Sequence, residues 1–213
     1  ISLAHREIDF GNVGTEELIP TSEGRAYGIE LLSQNRFKGD ITFVLSYTWA
    51  ISEFKDKNQD YASTTWDNRH ILIATASKRF KNNWYFGVKW RFAGGLPYTP
   101  YDLYLSSFKS AWDVKNQPYL NYDMLTEKRF NPFHQLDIRV DKTFNFKKAS
   151  LKLYLDIQNI YNFKSESRDI YTNLDKEGNP ITDPENPARY DLRKIESDGN
   201  GTILPTIGII VDL

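Results

Sequence analysis

The stretch Ile41-Thr42-Phe43-Val44-Leu45-Ser46-Tyr47-Thr48-Trp49-Ala50-Ile51-Ser52 decides the fold class. Its large apolar and aromatic residues occupy every odd position, and the even positions hold smaller, mostly hydroxyl-bearing ones. Side chains of a strand alternate between two faces, whereas a helix would scatter this set around its circumference. A strand is therefore predicted over 41–52. The same alternation returns with other residues at 84–92 (Trp84, Phe86, Val88, Trp90, Phe92), at 135–144 (Leu136, Ile138, Val140, Phe144) and at 151–158 (Leu151, Leu153, Leu155, Ile157). Tyr27, Ile29 and Leu31 mark a fifth strand, and Ile207, Ile209, Val211 and Leu213 mark the last, over 203–213. The segment 70–79 reads as a strand with aliphatic residues on both faces. Residues 1–10 could hold the tail of one more, giving about seven to eight strands in all.

The connections carry a second signal. Lys38-Gly39-Asp40, Lys81-Asn82-Asn83 and Lys147-Lys148-Ala149 are tight polar turns, while long loops run over 54–68, 93–134 and 164–202. Short and long alternate without exception. In an antiparallel meander this puts every short turn at one end and every long loop at the other. Outer-membrane barrels have that asymmetry, with short periplasmic turns and longer extracellular loops. The fold class expected is all-β, an antiparallel transmembrane β-barrel, with the last strand ending on the periplasmic side.

The aromatic residues, 5 Trp, 13 Tyr and 13 Phe in 213 residues, gain a place in this arrangement. Tyr47, Trp49, Trp90, Phe92, Tyr161 and Phe163 fall at the long-loop ends of their strands. Phe37, Phe80, Trp84, Phe144 and Phe146 fall at the short-turn ends. Barrels wear such girdles at both membrane interfaces. A soluble β-sandwich would also alternate, but loops of this length are uncommon in compact domains. The mean hydropathy of −0.56 does not oppose a barrel, because only alternate residues face lipid.

With 27 basic and 28 acidic residues the chain lacks the basic excess of a nucleic-acid binder, and no nucleic-acid partner is expected. Without cysteine there is neither a disulfide framework nor a thiolate metal site. His5, His70 and His134 are far apart and lack metal-ligand spacing. No nucleophile elbow, phosphate loop or dinucleotide fingerprint occurs. Asp175, Glu177, Asp183 and Glu185 depart from the calcium-loop pattern and read as surface turns. No enzyme activity, metal or cofactor is expected.

If the apolar face is outward, Lys89, Arg91, Asp137, Arg139, Asp141, Asp156 and Gln158 point into the barrel. There they are candidates to line the lumen or contact a plug, against the plainer reading of cross-strand pairs. In the loop 93–134, Tyr98, Tyr101, Trp112 and Tyr119 are candidates for substrate contact.

Gly24-Arg25-Ala26-Tyr27-Gly28-Ile29-Glu30, Leu45-Ser46-Tyr47-Thr48-Trp49 and Trp66-Asp67-Asn68-Arg69-His70 follow in an order that resembles the late barrel strands of TonB-dependent receptors of the Bacteroidetes type. Gly94-Gly95-Leu96-Pro97-Tyr98-Thr99-Pro100-Tyr101-Asp102, Gln135 to Lys142, Leu155 to Asn162 and Leu204 to Ile209 extend the resemblance over nearly the whole chain. It implies that 1–213 is the C-terminal part of a barrel of about 22 strands in the bacterial outer membrane, with a plug domain and a signal peptide preceding Ile1. It also implies active nutrient uptake driven through the TonB complex acting on that plug. Further partners implied are the barrel-assembly machinery, which would read Val211 and Leu213 in the last strand, outer-membrane lipid and a surface lipoprotein. Many such barrels end in Phe where this chain has Leu213. A small self-contained outer-membrane barrel with a structural or adhesive role is the alternative, and it would need residues 1–10 to pair with 203–213.

Overall fold

Three tight turns set the strand pairing. A computed structural model describes residues 23–56, 59–195, 199 and 201–212. The expected contribution of residues 1–10 and the position of Leu213 lie outside them. In the first turn Gly39 and Asp40 take left-handed conformations (φ 84° and 57°), and in the second Asn82 and Asn83 do so (φ 60° and 59°). Gly, Asn and Asp adopt that region at least cost, so the chain reverses there. In the third turn the Phe146 amide donates to the Ala149 carbonyl at 2.8 Å.

The strands are β1 (Gly24–Phe37), β2 (Ile41–Lys55), β3 (Tyr61–Ser63), β4 (His70–Phe80), β5 (Trp84–Ala93), β6 (Pro97–Tyr98), β7 (Lys128–Arg129), β8 (Phe133–Asn145), β9 (Ser150–Gln158), β10 (Ile170–Thr172), β11 (Arg193–Ile195) and β12 (Leu204–Asp212). Seven long ones, β1, β2, β4, β5, β8, β9 and β12, pair in that order as one antiparallel sheet, with the short β3 joined to β2. The protein is thus all-β in its main architecture. The sheet is open, with β1 and β12 at its two edges.

The first strand is longer than Tyr27 to Leu31. Leu32 interrupts the alternation, yet the ladder to β2 continues from Gly24↔Phe54 to Phe37↔Ile41 because the turn at 38–40 holds the register. Register also sorts the faces of β4. Leu72, Ala74 and Ala76 stand opposite Tyr47, Leu45 and Phe43 on one side and Phe92, Trp90 and Val88 on the other. Each small alanine thus lies between one ring and one aliphatic side chain, while Ile71 and Ile73 share the other face with Arg91.

The long loops are more ordered than the sequence shows. Within 94–132 lie helix α1 (Leu103–Ser107), whose N-cap Asp102 accepts the Leu105 amide at 2.9 Å, and helix α2 (Lys109–Lys115), closed by Asn116 at φ 52°. β6 pairs with β7, and β10 with β11. Gly94 and Gly95 are required where the loop begins. A Cβ there would stand 2.0 Å from the Asn68 carbonyl oxygen and 1.7 Å from that of Phe130.

Burial is inverted relative to a water-soluble sheet. Among the described large hydrophobic residues only Trp112, in the loops, is buried (2 % exposed). Ile29, Leu31, Ile207 and Ile209 are largely exposed, whereas Asp137 and Asp141 are buried. Among the described residues no element packs across the sheet as a second layer.

Candidate functional site

The seven wall residues expected to share a face do share it. Across β5 and β8, Lys89 stands opposite Asp137 and Arg91 opposite Gln135. Across β8 and β9, Arg139 stands opposite Asp156. Asp141 lies between Tyr85 and Tyr154, and Gln158 pairs with Leu204 of β12.

Asp137 organises this face. Its Oδ2 lies 3.2 Å from Arg91 Nη2 and 3.6 Å from Lys89 Nζ, and its Oδ1 accepts from Gln135 Nε2 at 2.6 Å and from the Asn159 amide at 3.1 Å. One buried carboxylate thus accepts three hydrogen bonds and faces a second cation, which is the partnering a charge needs away from water. Arg139 grips Asp141 through Nε and Nη2, at 3.1 and 2.8 Å, and its guanidinium carbon sits 4.1 Å from the Tyr154 ring centroid. Tyr154 lies where a side chain on Gly208 would be, since a Cβ there would meet its ring at 2.2 Å. A shallow groove of about 190 Å³ runs along this face past Thr75, Lys89, Asp137, Arg139, Asp156 and Gln158. The wall therefore presents fixed charges of both signs, most of them already paired.

The loop layer makes a second site. Arg129 joins it to the sheet: Nη2 donates to Asp67 Oδ2 at 2.6 Å and to Ser63 Oγ at 3.2 Å, while Nη1 donates to the carbonyls of Asp67 and Gly95 at 2.5 and 3.0 Å. Arg69 Nε adds a contact to the same Asp67 oxygen at 2.9 Å. Burial pushes the Asp67 carboxyl upward, but the hydrogen bonds from Arg129 and Arg69 outweigh it and hold the group below its ordinary value. At the end of β9, Asn159 (φ 54°) accepts from the Phe163 amide at 2.7 Å. Its Nδ2 donates to the carbonyls of Phe163 and Thr202, at 2.9 and 3.2 Å.

The four expected substrate contacts divide. Trp112, at 2 % exposure, is the packing centre of the loop layer and offers no face to a ligand, which corrects its assignment as a contact residue. The two helices are joined to the segment around Ala188 to Tyr190, where Lys109 N–H meets the Ala188 carbonyl at 3.0 Å and Tyr190 N–H that of Ser107 at 2.8 Å. Tyr119 is tied down by its hydroxyl to the Ala111 carbonyl at 3.1 Å and lies under Lys115. Tyr98 and Tyr101 line a cleft of about 140 Å³ with Phe130, Tyr171, Glu166 and Arg168. Tyr98 stacks on Phe130 with centroids 4.3 Å apart, Tyr101 meets Tyr171 edge-on at 5.9 Å, and Arg168 lies within 6 Å of both tyrosines. Such a cleft, with aromatic faces, the Arg168 guanidinium and the carboxylates of Glu166 and Asp169, suits a polar ligand with apolar edges.

Of the last strand's two expected assembly residues, Val211 is 57 % exposed and opposes Leu151 on the apolar face. In the loop 173–182, Asp175 Oδ1 accepts the amides of Glu177 and Asn179 at 3.0 and 2.7 Å. Those backbone donors, Asn179 first, hold its carboxyl low.

No family model matches the chain, and no curated protein matches it.

Proposed function

We propose that this chain is wall and outer loop layer of a bacterial outer-membrane β-barrel, working as a TonB-dependent nutrient importer. The observation that carries the reading is the inverted burial. A sheet that folds in water hides its apolar face under a second layer. Here, on the interior strands β5 and β9, Trp84, Phe86, Leu153 and Leu155 are exposed while Asp137 and Asp141 of β8 are buried. Hydrocarbon outside and a polar lumen inside are the surroundings that suit such a sheet.

The edges support a large barrel. β1 is exposed along all 14 residues, and β12 is exposed along nearly all of its length. Long open edges invite association unless further strands pair with them, and closure removes them. The charged wall suits a plug or a hydrated path, and the Tyr98–Tyr101 cleft suits capture at the entrance. Coupling to TonB, recognition of β12 by the assembly machinery and a lipoprotein partner rest on the family resemblance alone.

The test is to extract the native protein from outer membranes with detergent, then measure its intact mass and heat-modifiable gel mobility. A mass several times 24.8 kDa with heat-modifiable mobility is expected. Recovery in the soluble fraction would overturn the membrane reading. A mass near 24.8 kDa with heat-modifiable mobility would replace the importer with a small self-contained barrel.

A further inference from the structure

The net charge of −1 conceals a separation along the strands. At the short-turn end all three turns are basic, through Lys38, Lys81, Lys147 and Lys148, and Lys78 and Lys142 close β4 and β8 there. Among the described residues, the carboxylates at this end are Asp40, Asp212 and Asp141, the last held by Arg139 at 2.8 Å on the opposite face from Lys78 and Lys142. At the long-loop end cations meet carboxylates: Arg25 with Glu53 at 2.7 Å, Lys55 with Glu23 at 2.8 Å, Lys194 with Asp169 at 2.7 Å. The middle of the wall is balanced, as Asp137 is by Lys89 and Arg91.

Two of the basic side chains stand on the apolar face itself. Lys78 is opposite Ile41 and Phe86, and Lys142 is opposite Trp84 and Leu153. Their ammonium groups lie over the girdle, Lys78 5.0 Å from the Phe80 ring centroid and Lys142 5.2 and 5.4 Å from those of Trp84 and Phe144. Lys142 also donates to the Asn82 carbonyl. An ammonium has three donors, so this bond and the ring contacts leave donors for an anion. Neither lysine faces a carboxylate in its ladder partners.

Resting on the membrane reading above, we propose that Lys78 and Lys142, with Phe80, Trp84 and Phe144, form a binding band for anionic phospholipid headgroups at the short-turn end. The chemistry has two matched halves. Acyl chains lie on the apolar face, along Phe86, Val140 and Leu155, and the headgroup phosphate meets ammonium groups whose stems run over the rings. Long cationic side chains at an interface hold this posture, stem on apolar surface and head in the polar layer. The charge asymmetry selects an anionic lipid over a zwitterionic one, and it sets this end against the charge-compensated loop end.

The test is native mass spectrometry of the detergent-extracted protein after titration with phosphatidylglycerol or with phosphatidylcholine. Phosphatidylglycerol should be retained preferentially. K78Q/K142Q should weaken that retention about twenty-five-fold, on the basis of roughly fivefold for each cation near an anionic surface. K128Q, the same change at the loop end, should leave it unaltered. Equal retention of the two lipids by the unmodified protein overturns the proposal without needing a variant. So does equal loss in K128Q and K78Q/K142Q. If the protein keeps heat-modifiable mobility in an outer-membrane extract while showing no preference, this inference alone falls. If it is recovered in the soluble fraction, the membrane reading falls with it.

Discussion

Asp67 has no exposed side-chain surface and receives two arginines on one oxygen, at 2.6 and 2.9 Å. Removing one partner of a buried pair leaves uncompensated charge and typically costs about 3 kcal/mol or more. Asp67→Asn should therefore loosen the attachment of loop 94–132 to the sheet, read as faster trypsin cleavage at Lys128 and Arg129 with the strands still protected. The pH dependence has a definite sign. The folded value lies below the unfolded one, so the contribution is fully present above about pH 4 and is lost as pH falls through the lowered folded value. Protection of the loop amides, corrected for the intrinsic pH dependence of exchange, should fall in that acid window and stay constant between about pH 6 and 8. Asp67 stood in a quoted motif, yet its task was not legible there, because Arg129 lies 62 residues away and nothing local links them. Asp137 was legible, since period two alone places it among Lys89, Arg91 and Gln135. Asp137→Ala leaves both cations without their carboxylate, and because each is more than a third exposed it should lower the midpoint of urea unfolding by an amount equivalent to about 1–2 kcal/mol. No change in that midpoint would mean the pairs are idle.

At the scale of elements, the turns and strands were readable because each reports itself locally: Gly39, Asp40, Asn82 and Asn83 take left-handed backbone, and neighbouring residues alternate. The faces of β4 were not readable, because Ala74 and Ala76 look indifferent until register sets them between Leu45 or Phe43 and Trp90 or Val88. Helices α1 and α2, of 5 and 7 residues, are too short for a 3.6-residue period to be seen. The same dependence on register explains Gly208. The glycine leaves the space that Tyr154 fills beneath Arg139. Gly208→Val should push the ring out, weaken the β9–β12 ladder and cost about 1–3 kcal/mol as overpacking. Pairing it with Tyr154→Ala should recover much of the loss, and an unrecovered double variant would show that the glycine is needed for its backbone.

For the whole molecule the decisive contrast is between faces. A lysine at a lipid-facing position near the bilayer midplane costs about 2–4 kcal/mol. If the proposed membrane orientation holds, Leu155→Lys, set between Val140 and Ile207 on the apolar face, lowers stability by that amount in lipid vesicles. Gln34→Lys, on the opposite parity of β1, should be nearly neutral. Equal effects would remove the distinction on which the orientation of the sheet depends. The antiparallel order of the strands was legible because alternation and turn spacing agree, while the loop clasp and clefts arise from residues far apart in the chain.

The burial of Trp112 also gives the protein an optical label. Its 5 tryptophans fall into separate settings: Trp112 enclosed in the loops, Trp66 exposed at 69 %, and Trp49, Trp84 and Trp90 along the apolar face. Aqueous iodide should dim Trp66 first, a bromine-bearing acyl chain the three on the sheet, and neither should reach Trp112. The intrinsic fluorescence of the unlabelled protein would then report, in one cuvette, whether the loop layer opens while the sheet stays in place.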